Sequence, residues 1–329
     1  SMNFKNEHNL ELAIAVWLLY DDYDYSADPF TISATTLLQP TRSIILTVQH
    51  DLSDNVMDIS RLIPSRVGSA LHESLERWWK NPETLDKAFD ALGLNKIRER
   101  IIVNPIHVME NEIPIYIENR TSKKLGRWTI TGKYDIVMDG VVQDYKSTSV
   151  WAWVFKSNHT LYSQQGSIYK WLNPDKITEH YMKIHYIFTD WSKTKALQSN
   201  DYPQLRVQSA KYPLMSLHDT QVFIEQKLHA LDSLLEADQD LLPLCTPTEL
   251  WQKEPHFKYY KNPDAIATGK RSTKNFATLA EAEELFHEHG DVGKIVTVPG
   301  EVMRCKYCNA FSVCNQAKDM IAEGLIKID

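Results

Sequence analysis

The chain reads as a mixed α/β fold: a central β-sheet built around a hairpin, helices flanking it, and a cysteine-bearing C-terminal region. Three observations predict this. Apolar residues recur at helical spacing in some segments and form alternating or β-branched runs in others. An Asp139-Gly140 pair separates two strand-like runs. Three of the four cysteines crowd into the tail as Cys305-x2-Cys308-x5-Cys314.

In chain order, residues 7–20 predict a helix with Leu10, Ile14, Trp17 and Leu18 on one face. The β-branched run at 42–50 predicts a strand. A second helix starts at Ser65, with Val67, Leu71, Leu75 and Trp78 as its buried stripe. Residues 127–138 predict a strand, Asp139-Gly140 a type I′ turn, and Val141 to Thr148 the returning strand. A helix over Leu161–Leu172, a strand over Tyr181–Phe188 and a helix over Asp219–Glu236 follow, the last carrying Ile224, Leu228, Leu231 and Leu235. Beyond them come a short strand near Phe257, a helix over Leu279–His287 and a strand near Ile295. No internal repeat interrupts this order, which divides into a core over 1–240 and a C-terminal region over 241–329.

With 329 residues, 43% of them hydrophobic, the chain can bury a substantial core. Ser1 before Met2 reads as the scar of a cleaved tag and is set aside. No run of about eighteen apolar residues and no signal-like N-terminus occurs, which predicts a soluble, cytoplasmic protein without a membrane partner. A net charge of −7 argues against nonspecific coating of nucleic acid. Residues 253–274 nevertheless hold six Lys or Arg against two acids, and Lys258-Tyr259-Tyr260-Lys261 interleaves cations with aromatics. That pattern suits single-stranded DNA, though a solvated loop has the same composition.

The hairpin carries the chemistry. Side chains alternate along a strand, so Asp144 and Lys146 share a face, and the tight turn lets Asp135 approach Asp144. Two such carboxylates repel unless neutralised. Mg²⁺ or Mn²⁺ does this with oxygen ligands, and a lysine beside the metal can serve the attacking water and offset charge on a phosphate. Asp-x-Lys alone is a common salt-bridged strand pattern. Its order after an aspartate and a tight turn is what makes it informative.

Gly132-Lys133-Tyr134-Asp135-Ile136-Val137 and Gln143-Asp144-Tyr145-Lys146-Ser147-Thr148 resemble the two acidic motifs of PD-(D/E)XK nucleases of the RecB type, with Tyr134 in place of the family's proline. Gly68-Ser69-Ala70-Leu71-His72-Glu73 resembles the helix that supplies a metal-binding histidine there, and Gln165-x3-Tyr169 the helical motif after the hairpin. The resemblance covers roughly residues 64–170 and implies a restriction-endonuclease-like core. It implies metal ligation by His72, Asp135, Asp144 and the Tyr145 carbonyl, catalysis by Asp135, Asp144 and Lys146, and substrate contact or bracing by Gln165 and Tyr169. The implied activity is a DNA exonuclease acting on single- or double-stranded DNA in recombination, repair or phage DNA processing, with or without a helicase or recombinase partner. No Gly-x4-Gly-Lys-Ser/Thr loop is present, so the chain is expected to work without ATP.

Cys245, Cys305, Cys308 and Cys314 make four thiolates, enough for a four-iron, four-sulfur (4Fe–4S) cluster or a structural Zn²⁺. The terminal Cys-x2-Cys-x5-Cys resembles the iron–sulfur motif appended to many RecB-type nucleases, which favours the cluster as a staple for the tail. Two alternatives stay open: a single-strand or structure-specific endonuclease on the same fold, and a non-catalytic nucleic-acid-binding protein with a structural metal.

Overall fold

The computed structural model describes residues 3–20, 26–156 and 158–328, so the scar expected at Ser1 lies outside the described residues. The chain divides into two units, one of Ser1–Gln39 with Ser53–Ser233, the other of Pro40–Leu52 with Leu234–Asp329. The second unit therefore draws on an early segment as well as on the expected tail.

In chain order the elements begin with β1 (Asn3–Lys5), α1 (Leu12–Leu19), β2 (Thr31–Ser33), α2 (Ala34–Leu37), α3 (Thr41–Gln49) and β3 (Val56–Asp58). Then come α4 (Ile63–Trp79), α5 (Pro82–Ala91), α6 (Asn95–Arg98), β4 (Ile101–Val103), β5 (Ile113–Leu125), β6 (Trp128–Met138) and β7 (Val141–Thr148). Next are α7 (Val150–Phe155), α8 (His159–Leu172), β8 (Tyr181–Phe188), α9 (Lys193–Gln198), β9 (Val207–Pro213) and α10 (Leu217–Leu234). The chain finishes with β10 (His256–Tyr260), α11 (Asp264–Ala267), β11 (Lys274–Phe276), α12 (Leu279–Glu288), β12 (Lys294–Val298) and α13 (Asn315–Ala322).

The first unit is a mixed seven-stranded sheet with helices, ordered β4-β5-β6-β7-β8-β9, with β2 added to β6. Its centre is antiparallel through β5, β6 and β7, while β8 pairs in parallel with β7 and is reached through α8. A parallel neighbour needs a crossover, and the helix-period run between the two strands supplies it. Strict alternation on β8 buries Met182, Ile184, Tyr186 and Phe188. Ile101, Ile115, Ile117 and Ile136 form a core beside Trp79, Phe89 and Tyr145. In α10, Ile224, Leu228 and Leu231 are buried as the periodicity predicts.

Two helical stripes differ from expectation. In α1, Leu18 and Ala15 are buried, whereas Ile14 and Trp17 are exposed. In α4, Val67 and Trp78 are exposed and Leu71 and Leu75 only half-buried, so its apolar stripe is incompletely covered within the unit.

In the second unit the run expected as a strand at 42–50 is helix α3. Pro40 presets the entry with φ −55°, and Arg42, Ile44, Ile45 and Leu46 are buried while Val48 is exposed. A short apolar run fits either period, and here the helical one wins because a continuous three-residue stretch faces inward. β11, β10 and β12 form a three-stranded antiparallel sheet. Tyr259 and Tyr260 are buried in it, and the Tyr259 hydroxyl donates to the Val292 carbonyl. These two rings are therefore core residues rather than a stacking platform for bases. Among the described residues no helix is long and apolar enough to cross a membrane.

Candidate active site and cysteine site

The β6–β7 ladder is only three pairs long, Ile136 to Gln143, Val137 to Val142 and Met138 to Val141. Asp139 and Gly140 close it with φ of 49° and 80°, the two positive angles a type I′ turn requires. Past Gln143, β7 leaves β6 for β8. With β5 on its other edge, β6 is met again on the vacated edge only by β2, at Thr129–Thr131. Residues 132–135 thus border a gap in the sheet, and Asp135 lies there. The backbone N–H of Tyr145 donates to Asp135 Oδ2 at 3.0 Å, a side-chain bond where the ladder has stopped.

The other expected residues converge on this gap. Asp144 is buried, and Lys146 Nζ lies 2.7 Å from its Oδ2. The ammonium is the charge that offsets this carboxylate. His72 Nε2, from α4, lies 2.8 Å from the Tyr145 carbonyl oxygen and 3.5 Å from Asp135 Oδ2. From α8, Gln165 Nε2 donates to the buried Tyr169 hydroxyl at 2.9 Å. Gly132 lets α8 close on β6: a Cβ there would sit 2.6 Å from Leu172 Cδ1 and 3.1 Å from the Tyr169 ring.

Burial and the neighbouring Asp144 push Asp135 well above the usual carboxylate range. Burial acts on Asp144 the same way, but the Lys146 ammonium and the hydrogen bond with Asp135 bring it below that range. The two carboxylates are thus set apart, Asp135 holding its proton to higher pH than Asp144. Burial opposes the charge on Lys146, yet Asp144 raises its pKa above an ordinary lysine's, which keeps it an ammonium.

A stability prediction follows. Because Asp135 titrates higher folded than unfolded, its favourable contribution is full below about pH 3.9 and is lost as pH rises through the raised value. Asp135→Asn removes that loss, so without metal the variant is expected to melt above wild type at neutral pH and to match it near pH 3.5. Thermal melts in chelator across this range check it, and a variant melting no higher at neutral pH contradicts it.

Three contacts had no signal in the sequence. Glu118 on β5 pairs with Lys133 and lines a cleft with His72 and Asp135. Gln143 Oε1 and His185 Nε2 meet at 2.6 Å, and the His185 ring stacks on Tyr145 at 5.8 Å. Lys146 Nζ lies 5.6 Å from the Tyr162 ring centroid. Lone residues on separate elements carry no spacing pattern, so only the fold brings them together.

Elsewhere in the first unit, ligand atoms of Glu7, His8 and Asp58 lie within 4.8 Å of one another and could hold a metal. The Asp58 oxygens already accept from the Ser60 hydroxyl and the backbone N–H groups of Glu7 and Ser60, and these bonds lower its pKa to about 2. This is the pattern of a helix N-cap.

In the second unit the four cysteines converge. Cys245, Cys305 and Cys314 pack against a small core of Leu250, Val302, Ala317, Met320 and Ile326. Gln316 clamps the Cys245 backbone, accepting from its N–H and donating to its carbonyl. Burial, then Glu249 and the other three thiols, push Cys245 up to about 12. Burial and the Cys308 and Cys314 thiols push Cys305 up to about 11. Thiols that raise one another this way are a set that a cation would deprotonate together. No family model matches the chain, and no curated protein matches it either.

Proposed function

We propose that the chain is a Mg²⁺- or Mn²⁺-dependent deoxyribonuclease, an exonuclease that hydrolyses phosphodiester bonds without ATP. The observation that carries this is the pairing of half-buried Asp135 with buried Asp144, Lys146 Nζ 2.7 Å from the latter, set where the β6–β7 ladder splits. The order α4-β5-β6-β7-α8-β8 around it supports a restriction-endonuclease-like core.

The residues fit a divalent ion. Two neighbouring carboxylates, Asp144 buried and Asp135 pushed up by burial and by Asp144, are a donor set whose repulsion a hard cation relieves. Asp135, Asp144, the Tyr145 carbonyl and His72 would hold it. When bound, it supplies Lewis-acid polarisation of the phosphoryl group and acidifies water. Lys146, kept as an ammonium, points N–H donors and positive charge toward water and phosphate oxygens. Gln165 fixes the Tyr169 hydroxyl and so braces the α8 wall.

The cysteines are read as a 4Fe–4S site securing the second unit. What supports iron over zinc is the cysteine spacing, a single Cys-x2-Cys turn followed by Cys314, where zinc modules usually carry paired Cys-x2-Cys turns.

The test uses end-labelled linear DNA, single- and double-stranded, beside covalently closed circles, with Mg²⁺ or Mn²⁺ and no nucleotide triphosphate. Nucleotides should leave linear ends, circles should persist and chelator should stop the reaction. Rapid cutting of closed single-stranded circles would replace the exonuclease with an endonuclease. Binding to DNA without cleavage in either metal would make the chain a non-catalytic binding protein.

A further inference from the structure

Resting on the iron–sulfur reading of the cysteines, we propose that Arg42 and Ser43 of α3 form the outer wall of that site. They donate hydrogen bonds to two of its sulfurs and supply its counter-charge.

Arg42 is 4% exposed, and its Nε donates to Cys314 Sγ at 3.2 Å. Other N–H groups go to the Gln239 and Leu242 carbonyls at 3.4 and 3.3 Å and to Gln239 Oε1 at 2.9 Å. Those neutral acceptors take three of the four remaining hydrogens and none of the charge. None of the ion pairs among the described residues includes Arg42. A guanidinium cannot shed its proton, and an unpaired charge is not left buried without compensation. The anion within reach is thiolate, which cluster ligation would create at Cys314 and its neighbours.

The next residue repeats the arrangement. The Ser43 hydroxyl lies 3.2 Å from Cys308 Sγ, so two consecutive side chains of one helix meet two of the four sulfurs. Gln239 locks the geometry: beyond Arg42, its Nε2 donates to the Val313 carbonyl and its Oε1 accepts from the Asn315 N–H, on both sides of Cys314. Arg42 and Cys314 stand 272 positions apart. This pairing gives a reason for Pro40–Leu52 to belong to the second unit rather than to the unit that surrounds it in sequence.

Donors to thiolate sulfur draw electron density from a cluster and favour its reduced, more negative state. Removing them lowers the reduction potential and loosens the iron. The experiment compares the full chain with Arg42→Gln, Arg42→Lys and Ser43→Ala, purified and reconstituted without oxygen. It reads iron per chain, the rate of bleaching by chelator, and the potential from a dye-coupled titration. Arg42→Gln should hold iron about 10–100-fold more weakly, the range for residues that hydrogen-bond metal ligands, and so bleach faster, with a lower potential. Arg42→Lys should fall between it and wild type, and Ser43→Ala should shift in the same direction by less. If Arg42→Gln does not fold, Ser43→Ala, which deletes one oxygen, still decides. Brown wild type whose Arg42→Gln and Ser43→Ala forms keep its bleaching rate and potential overturns the proposal alone. Colourless, iron-free wild type overturns the iron–sulfur reading itself.

Discussion

Lys146→Ala and Asp144→Asn are each expected to slow metal-dependent DNA cleavage by on the order of 10²–10⁴-fold while the protein stays folded. The two losses should differ in kind. Lys146 already neutralises Asp144 at 2.7 Å and so competes with any cation for that carboxylate. Removing it frees that carboxylate for the metal, so cleavage by Lys146→Ala should saturate at Mn²⁺ concentrations no higher than those wild type needs, with a much lower plateau. Asp144→Asn removes a ligand and leaves a buried ammonium without its partner, so it should need more Mn²⁺ and still plateau low. Cleavage rates across a Mn²⁺ series, with a thermal melt of each variant, separate these outcomes. A near-wild-type plateau in either variant would remove that residue from the site.

The hairpin was the most legible part because its signals are local and chemical. Asp139-Gly140 fixes a turn by φ alone, and alternation then puts Asp144 and Lys146 on one face. His72 was legible only through its neighbours in sequence, yet it stands 2.8 Å from the Tyr145 carbonyl. The long strand β5 was not anticipated, because after Ile113, Ile115 and Ile117 it runs into Asn119 to Lys124, a polar stretch without alternation. β9 is equally opaque: only Tyr212 of its seven residues is buried. At α3, Ile44-Ile45-Leu46-Thr47-Val48 favours strand locally, and burial on a helical face overrides that preference. Arg42 and Glu118 show what no single-sequence pattern carries. Each is an isolated charge until the fold gives it Cys314 or Lys133.

Cys245→Ala is expected to bleach the protein and loosen residues beyond about Leu241, with the hairpin's cleavage chemistry changed far less. Cys245 stands 60 positions before Cys305, so a shared cluster closes a long loop that a three-cysteine site would leave open. Cross-links over loops of this length are typically worth about 2–4 kcal/mol, and loss of one ligand should cost the second unit an amount of that order. The core beside the cysteines contains five fully buried apolar residues, two of them alanine or valine, and the cysteine side chains complete its wall. Anaerobic wild type should be brown with iron in excess of zinc, and Cys245→Ala should be pale, poor in iron and cut first by protease in the C-terminal region. A Cys245→Ala protein that keeps full colour and iron would exclude that residue, and one zinc per colourless wild-type chain would put a zinc staple in the cluster's place.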